Sequence, residues 1–287
     1  MKTSISNGML LKQFSAEETF KLLKDAGFDA VAPDTNRLLN PKYDPEGRWT
    51  GDNYLEEAKK LRAYAEEIGL SVSYAIGYTH DYHHDFEEVS FPLIRRSIEI
   101  AATLGAPYVL ISIPHRGAYS GNEEALFEQY TGYYARMATL AQEFGIKIAL
   151  KNTSSFSWKS YAQDHDVCSK PEDMIRYLDT LNAQYPDCFV ACVDTGLAYL
   201  VGYQPDEYVK ALGNRVKLLA VNDNNRRKNI RVTPGSGIIN FAKLTEALKE
   251  IGYEGDYVLD ITCNLPKELL KVHYTYAAEI ARYFAVL

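Results

Sequence analysis

An apolar run of strand length, a loop and an amphipathic stretch recur about eight times along this chain of 287 residues, and few folds accept that rhythm. The runs fall at 3–6, 30–33, 71–76, 108–113, 147–150, 189–193, 216–221 and 257–261. They are rich in Val, Ile and Tyr and do not simply alternate with polar residues, as expected of parallel strands covered on both faces. The segments between them read as helices. Ser15-Ala-Glu-Glu18 is a capping box opening a helix that ends at Gly27. Stretches 53–68, 91–104, 125–144 and 241–251 each run into a glycine, which supplies a left-handed cap before the next strand. Helices at 172–181, 205–212 and 266–284 complete the set. Eight βα units with no linker or composition break predict one closed (β/α)8 TIM barrel over residues 1–287. A doubly wound open sheet is the alternative, but it would be expected to carry a Gly-rich phosphate turn after an early strand, and the sequence has none.

Composition narrows the function. Hydrophobic residues at 46% and charged residues at 24% suit a globular domain with a sizeable core. The apolar runs are too short to cross a bilayer. The sequence opens Met1-Lys-Thr-Ser and turns polar with no apolar core of signal-peptide length, so a cytoplasmic location and no membrane partner are expected. A net charge of −7 without a long basic block argues against nucleic acid, which needs clustered cations to displace counterions. Cys168, Cys188, Cys192 and Cys263 lack C-x-x-C spacing and read as small core hydrophobes. The 22 tyrosines suit a polyol pocket, but equally helix packing or the contacts of a homo-oligomer.

In a barrel of this kind the loops after the strands build the site. Reading the carboxyl ends in order gives Asn7, Ala32-Pro33-Asp34, the stretch 78–84, His115, Lys151-Asn152, Asp194-Thr195, Asp223-Asn224 and Asp260. That set is far more polar than the strands feeding it.

Six segments in order carry a resemblance: Gly27-Phe-Asp-Ala-Val, Ile148-Ala-Leu-Lys-Asn152, Cys192-Val-Asp-Thr-Gly-Leu197, Val221-Asn-Asp-Asn224, Pro234-Gly-Ser-Gly-Ile and Gly252-Tyr-Glu-Gly-Asp-Tyr-Val-Leu-Asp260. Together they resemble the xylose isomerase-like TIM-barrel superfamily of sugar phosphate isomerases and epimerases, which also has an endonuclease IV branch. The resemblance covers nearly the whole chain. It implies a divalent metal such as Mn2+, Mg2+, Co2+ or Zn2+, held by a Glu after strand five, an Asp after strand six, a His after strand seven and a Glu after strand eight. Of these, only the strand-six Asp carries over unchanged, as Asp194. The strand-five Glu position holds Lys151 and the strand-eight Glu position holds Asp260, while the His positions fall on Ala220, Leu197 and Arg231, with Asn229 at a neighbouring Asp. A hard divalent ion needs several oxygen or imidazole donors, and an ammonium among them repels it, so no metal cofactor is expected; a Mn2+ or Mg2+ site is the alternative.

The candidate catalytic residues are Lys151, Asp194, Asp260 and His115. Lys151 either supplies the positive charge the metal would have brought, pairing with Asp194 and conceivably Asp260, or merely neutralises leftover carboxylates. His115, closing strand four, suits proton transfer or hydrogen bonding. His80, His83 and His84 read as a solvated loop. Candidate substrate-binding residues are Asn152, Asn224, Arg226, Arg231 and Trp158; the arginines lie in a basic loop suited to an anionic group, and Trp158 could stack on a sugar face or pack elsewhere. The activity the resemblance implies is isomerisation or epimerisation of a small carbohydrate or polyol derivative by proton abstraction beside a carbonyl. A non-catalytic carbohydrate-binding or regulatory protein, and a lyase or dehydratase using Lys151 and His115, remain open as other classes.

Overall fold

The structure is a computed structural model that describes residues 1–79, 85–112, 119–157 and 162–287. Eight parallel strand positions form a ring: β1 Thr3–Ser6, β2 Ala30–Ala32, β3 in two pieces (Ser71–Val72 and Ala75–Ile76), β4 Tyr108–Leu110, β5 Lys147–Lys151, β6 Phe189–Asp194, β7 Val216–Ala220 and β8 Tyr257–Leu259. One sheet runs β8-β1-β2-β3 and a second runs β7-β6-β5-β4-β3. Parallel bridges Asp34↔Ile76 and Val221↔Leu259 join the two arcs, closing the barrel at β2–β3 and β7–β8. The expected barrel is therefore the observed one.

The helices outside the ring are α1 Ala16–Asp25, α2 Tyr54–Glu67, α3 Phe91–Thr103, α4 Glu123–Phe144, α5 Pro171–Gln184, α6 Pro205–Leu212, α7 Phe241–Glu250 and α8 Lys267–Val286. Their bounds match the periodicity within about three residues. Ser15 and Glu18 make the expected reciprocal capping bonds, and Gly145 ends α4 at φ +63, a conformation that costs other residues a Cβ clash. One departure is a hairpin, Ser155–Ser157 with Ala162–Asp164, inside the loop after β5.

Two cores follow from the period-two geometry of a strand. Ile148, Leu150, Ala191, Val193 and Leu219 face outward and pack with the helices. Ala32, Tyr74, Leu110, Ala149, Val190, Cys192, Leu218, Ala220 and Val258 fill the barrel lumen. Tyr74 forms part of its packing and donates from its hydroxyl to Leu219 O at 3.2 Å. All four cysteines are buried thiols, as their spacing suggested. No helix among the described residues is long and apolar enough to cross a membrane.

Candidate functional site

The same alternation decides which polar residues at the strand ends share the lumen face. Two positions beyond the lumen residues Ala32, Ala149, Cys192, Ala220 and Val258 stand Asp34, Lys151, Asp194, Asn222 and Asp260. Each of these five strand ends carries an apolar floor and then, at the next inward step, a charged or amide group.

Lys151 and Asp194 meet there. The ammonium is 3.6 Å from Asp194 Oδ2, and the carboxylate is 2% exposed against 16% for the lysine. Asp194 Oδ1 accepts from Asn222 Nδ2 at 2.9 Å and from Leu197 N at 3.0 Å, so the same carboxylate caps the short helix Thr195–Leu200. Asp260 takes a different cation: the Arg231 guanidinium is paired with its carboxylate, and Arg231 Nε donates to the Asp260 carbonyl at 3.3 Å. Lys151 therefore pairs with Asp194, and Asp260 is held by Arg231. Arg231 adopts φ +48, a strained backbone for a branched-free cation that its pairing and the Thr262 N–H to Arg231 O bond hold in place.

A second acid, which the sequence reading placed at a strand end without selecting it, is built in the same way. Asp34 accepts from Arg37 N at 2.9 Å and caps the helix Thr35–Leu38, with Arg37 Nε 3.5 Å from its other oxygen. Its backbone N–H is held by Asn7 Oδ1 at 2.9 Å, just as Asp194 N is held by Asn152 Oδ1 at 2.7 Å. Thr35 Oγ1 donates to Ile76 O on the following strand, as Thr195 Oγ1 donates to Asn222 O. The two Asp-Thr pairs are thus the same local device on opposite halves of the ring. Burial pushes the Asp34 carboxyl above the usual carboxylate range, opposed by the Arg37 N–H and by the charges of Arg37, Arg231 and Lys151. Burial likewise raises the Cys192 thiol to about 12, which removes it as a thiolate nucleophile.

Other selected residues fall elsewhere. Asn152, expected to touch substrate, is fully buried, and both ends of its amide are bonded to the Asp194 backbone, the Nδ2 to Asp194 O at 3.0 Å. It lies one step out of phase with Lys151, on the outward parity, so it positions Asp194. Asn224 is also fully buried, donating to Gly196 O at 2.8 Å and accepting from Arg226 N at 2.8 Å. Arg226 lies over the Tyr199 ring and lines a cavity of about 230 Å3 with His165 and Asp164, which Lys151, Asp194 and Asp260 do not line. His115 and Trp158, like His80, His83 and His84, lie outside the described residues. Asp223 is a clamp: its carboxylate accepts from the backbone N–H groups of Asn224, Gly235, Gly237 and Ile239 at 2.8–3.1 Å. Asn222, which the sequence reading did not select, faces inward; its phase with Ala220 was the available signal.

The residues present do not fit a hard divalent cation. Asp194 and Asp260 each already carry a cation, Ala220 offers no donor, and no group of three or more His, Cys, Asp or Glu among the described residues could hold a metal ion. What the arrangement can do is present two fixed cations and three carboxyl groups to a small polar molecule at the end of the lumen.

A family model for the xylose isomerase-like TIM barrel matches residues 20–272, and the chain belongs to that family. It is 23% identical over 268 residues to the uncharacterized protein MJ1311 of Methanocaldococcus jannaschii, covering 89% of this chain and 82% of that one. Among solved structures it is similar to a D-tagatose 3-epimerase-like protein, with a TM-score of 0.74, 21% identity and coverage of 99% and 97%. It is also similar to D-psicose 3-epimerase with D-tagatose from Clostridium cellulolyticum H10, with a TM-score of 0.78, 14% identity and 99% of each chain covered. At these identities the structural likeness establishes the fold.

Proposed function

We propose that the protein isomerises or epimerises a small carbohydrate or polyol derivative at the barrel mouth without a divalent metal, Lys151 and Arg231 supplying the positive charge. The observation that carries this reading is the pairing of both cations with strand-end carboxylates, Lys151 with Asp194 and Arg231 with Asp260. Removing a proton from the carbon beside a carbonyl places negative charge on the carbonyl oxygen, and preorganised cationic donors stabilise that charge in a dry site. Asp260 and Asp34 are the carboxyl groups available to take the proton and return it to the same or the neighbouring carbon. Asp194, already accepting two N–H bonds and facing Lys151, positions the ammonium. The similarity to ketohexose 3-epimerases supports a ketose or its keto derivative as the substrate class.

The test is proton exchange at carbon. Protein stripped with a chelator is incubated in D2O with a panel of ketohexoses, ketopentoses and their phosphates, and deuterium incorporation and epimer formation are followed by NMR. Turnover by the stripped protein that is lost in Lys151→Met supports the reading. Turnover that appears only on adding Mn2+, Mg2+ or Co2+ sinks it. Sugar binding without exchange of any carbon-bound hydrogen instead supports a carbohydrate-binding protein on this scaffold.

A further inference from the structure

Eight strands closed in chain order put β5 opposite β1 across the mouth. Asp260 follows β8 and Asp34 follows β2, so these two acids flank β1, and Lys151 at the end of β5 stands across from both. Exposure decides which acids a ligand can touch. The Asp260 and Asp34 side chains are 15% and 12% exposed, whereas Asp194 beside Lys151 is 2% exposed. Arg231 takes Oδ2 of Asp260, and no described residue bonds its Oδ1. The Asp34 carboxyl feels the charges of both Arg231 and Lys151, so the two sides of the mouth border one space.

Two strand spacings separate the backbones of β8 and β2, about 9.5 Å, so inward carboxyls from the two leave room for one flat carbon centre between them. The placement has a mirror symmetry, because the line from β1 to β5 passes midway between Asp260 and Asp34. A carbonyl directed along that line at the Lys151 ammonium has one acid on each side. A proton beside a carbonyl leaves perpendicular to the carbonyl plane. The plane that turns its C–H bond toward Asp260 therefore turns the opposite face toward Asp34. Removal on one face and return on the other inverts that carbon, whereas a single acid serving both steps returns the proton to the face it left. The surroundings of the two acids suit opposite tasks. Arg231 pairs with the Asp260 carboxylate, and burial favours a proton on Asp34.

We propose that Asp34 is the second proton carrier of the site and that the reaction is epimerisation, with Asp260 and Asp34 acting on opposite faces of one carbon beside a carbonyl held by Lys151. This rests on the proton-transfer reading of the mouth. Asp260 Oδ1 takes the proton, the C–H pair becomes a C=C bond, and the carbonyl π pair moves to the oxygen facing Lys151. The carbon then takes the Asp34 carboxyl proton on its other face as the oxygen pair re-forms the carbonyl. Asp260 releases its proton to water and Asp34 regains one, so nothing is oxidised or reduced.

Exchange in D2O followed by NMR tests this, with the panel of ketohexoses, ketopentoses and their phosphates. In the first turnovers the wild type should form an epimer carrying deuterium at the inverted carbon, while unreacted sugar keeps its hydrogen. This label pattern decides the question without any variant. Asp34→Asn and Asp260→Asn, checked for folding by circular dichroism, should each lower epimerisation at least about a hundredfold. Each variant should still exchange the carbon-bound hydrogen of one epimer, and the two variants should retain opposite epimers, a split that a merely structural role would not produce. Deuterium entering unreacted sugar as fast as product, or an aldose formed without inversion, overturns this inference and leaves the proposed activity standing. No exchange at any carbon overturns both.

Discussion

The Lys151 ammonium stands 3.6 Å from Asp194 Oδ2 at the ends of adjacent strands β5 and β6, both side chains on the lumen face. Asp194 is almost without solvent, so its charge depends on this cation and on the N–H donors of Asn222 and Leu197. Removing one partner of a buried pair leaves the other charge uncompensated. Lys151→Met should therefore destabilise the fold by about 3 kcal/mol. Lys151→Met with Asp194→Asn should recover most of the loss. Urea unfolding of the two single variants and the double variant checks this, and additive effects would mean the pair is not coupled.

Asp34 gives a pH dependence of unusual sign. Burial raises its carboxyl in the folded protein above the unfolded value, so the native state holds a proton that the unfolded chain has released. Its contribution to stability is fully present below the unfolded value, near 3.8, and is lost as pH rises through the folded value. Asp34→Asn, which retains an oxygen to cap Arg37 N, removes that titration. In scanning calorimetry at pH 4 and pH 7.5, the variant should gain on the wild type at the higher pH. A difference that is the same at both pH values counts against a raised Asp34.

Two glycines hold the carboxylates where they are. A Cβ on Gly8 would lie 2.2 Å from Asp34 Oδ2, and a Cβ on Gly196 would lie 1.9 Å from Asn222 Oδ1. Gly196→Ala should push Asn222 off Asp194 and cost about 2 kcal/mol, the range of overpacked sites. Gly8→Ala should displace Asp34 and lower kcat more than it raises KM. Thermal melts and steady-state kinetics on a substrate from the exchange panel separate the two effects.

Asp223 organises the loop after β7 through four backbone N–H bonds, so its role is structural. Asp223→Ala leaves those donors to water or to nothing and should cost about 3 kcal/mol, as expected for bonds to a charged acceptor. Limited proteolysis should cut between residues 233 and 240 first. An intact loop in the variant would show that Pro234 and the glycines hold the turn unaided.

Much of the barrel was legible because its signals are local. Ser15 with Glu18 and Gly145 act on groups within a few residues, and the Val- and Ile-rich runs mark strands by composition alone. The mouth was partly legible: Lys151, Asp194 and Asp260 were visible as polar ends of apolar runs. Asn152, expected beside the substrate, is instead buried against the Asp194 backbone, because adjacent residues on a strand point to opposite faces and it is out of phase with the lumen. The same phase points Asn222 and Asp34 inward, and the repeated Asp-Thr at 34–35 and 194–195 hinted that both acids are held alike.

What the sequence determined by itself is the kind of ring and the residues at its rim, since strand, helix and cap preferences arise over a few residues. Only the tertiary structure decided which cation serves which carboxylate. Lys151 and Asp194 are 43 positions apart and Arg231 and Asp260 are 29 apart, and their pairing depends on how the closed ring sets strand against strand. Charge attracts by distance in space, which the chain alone does not specify.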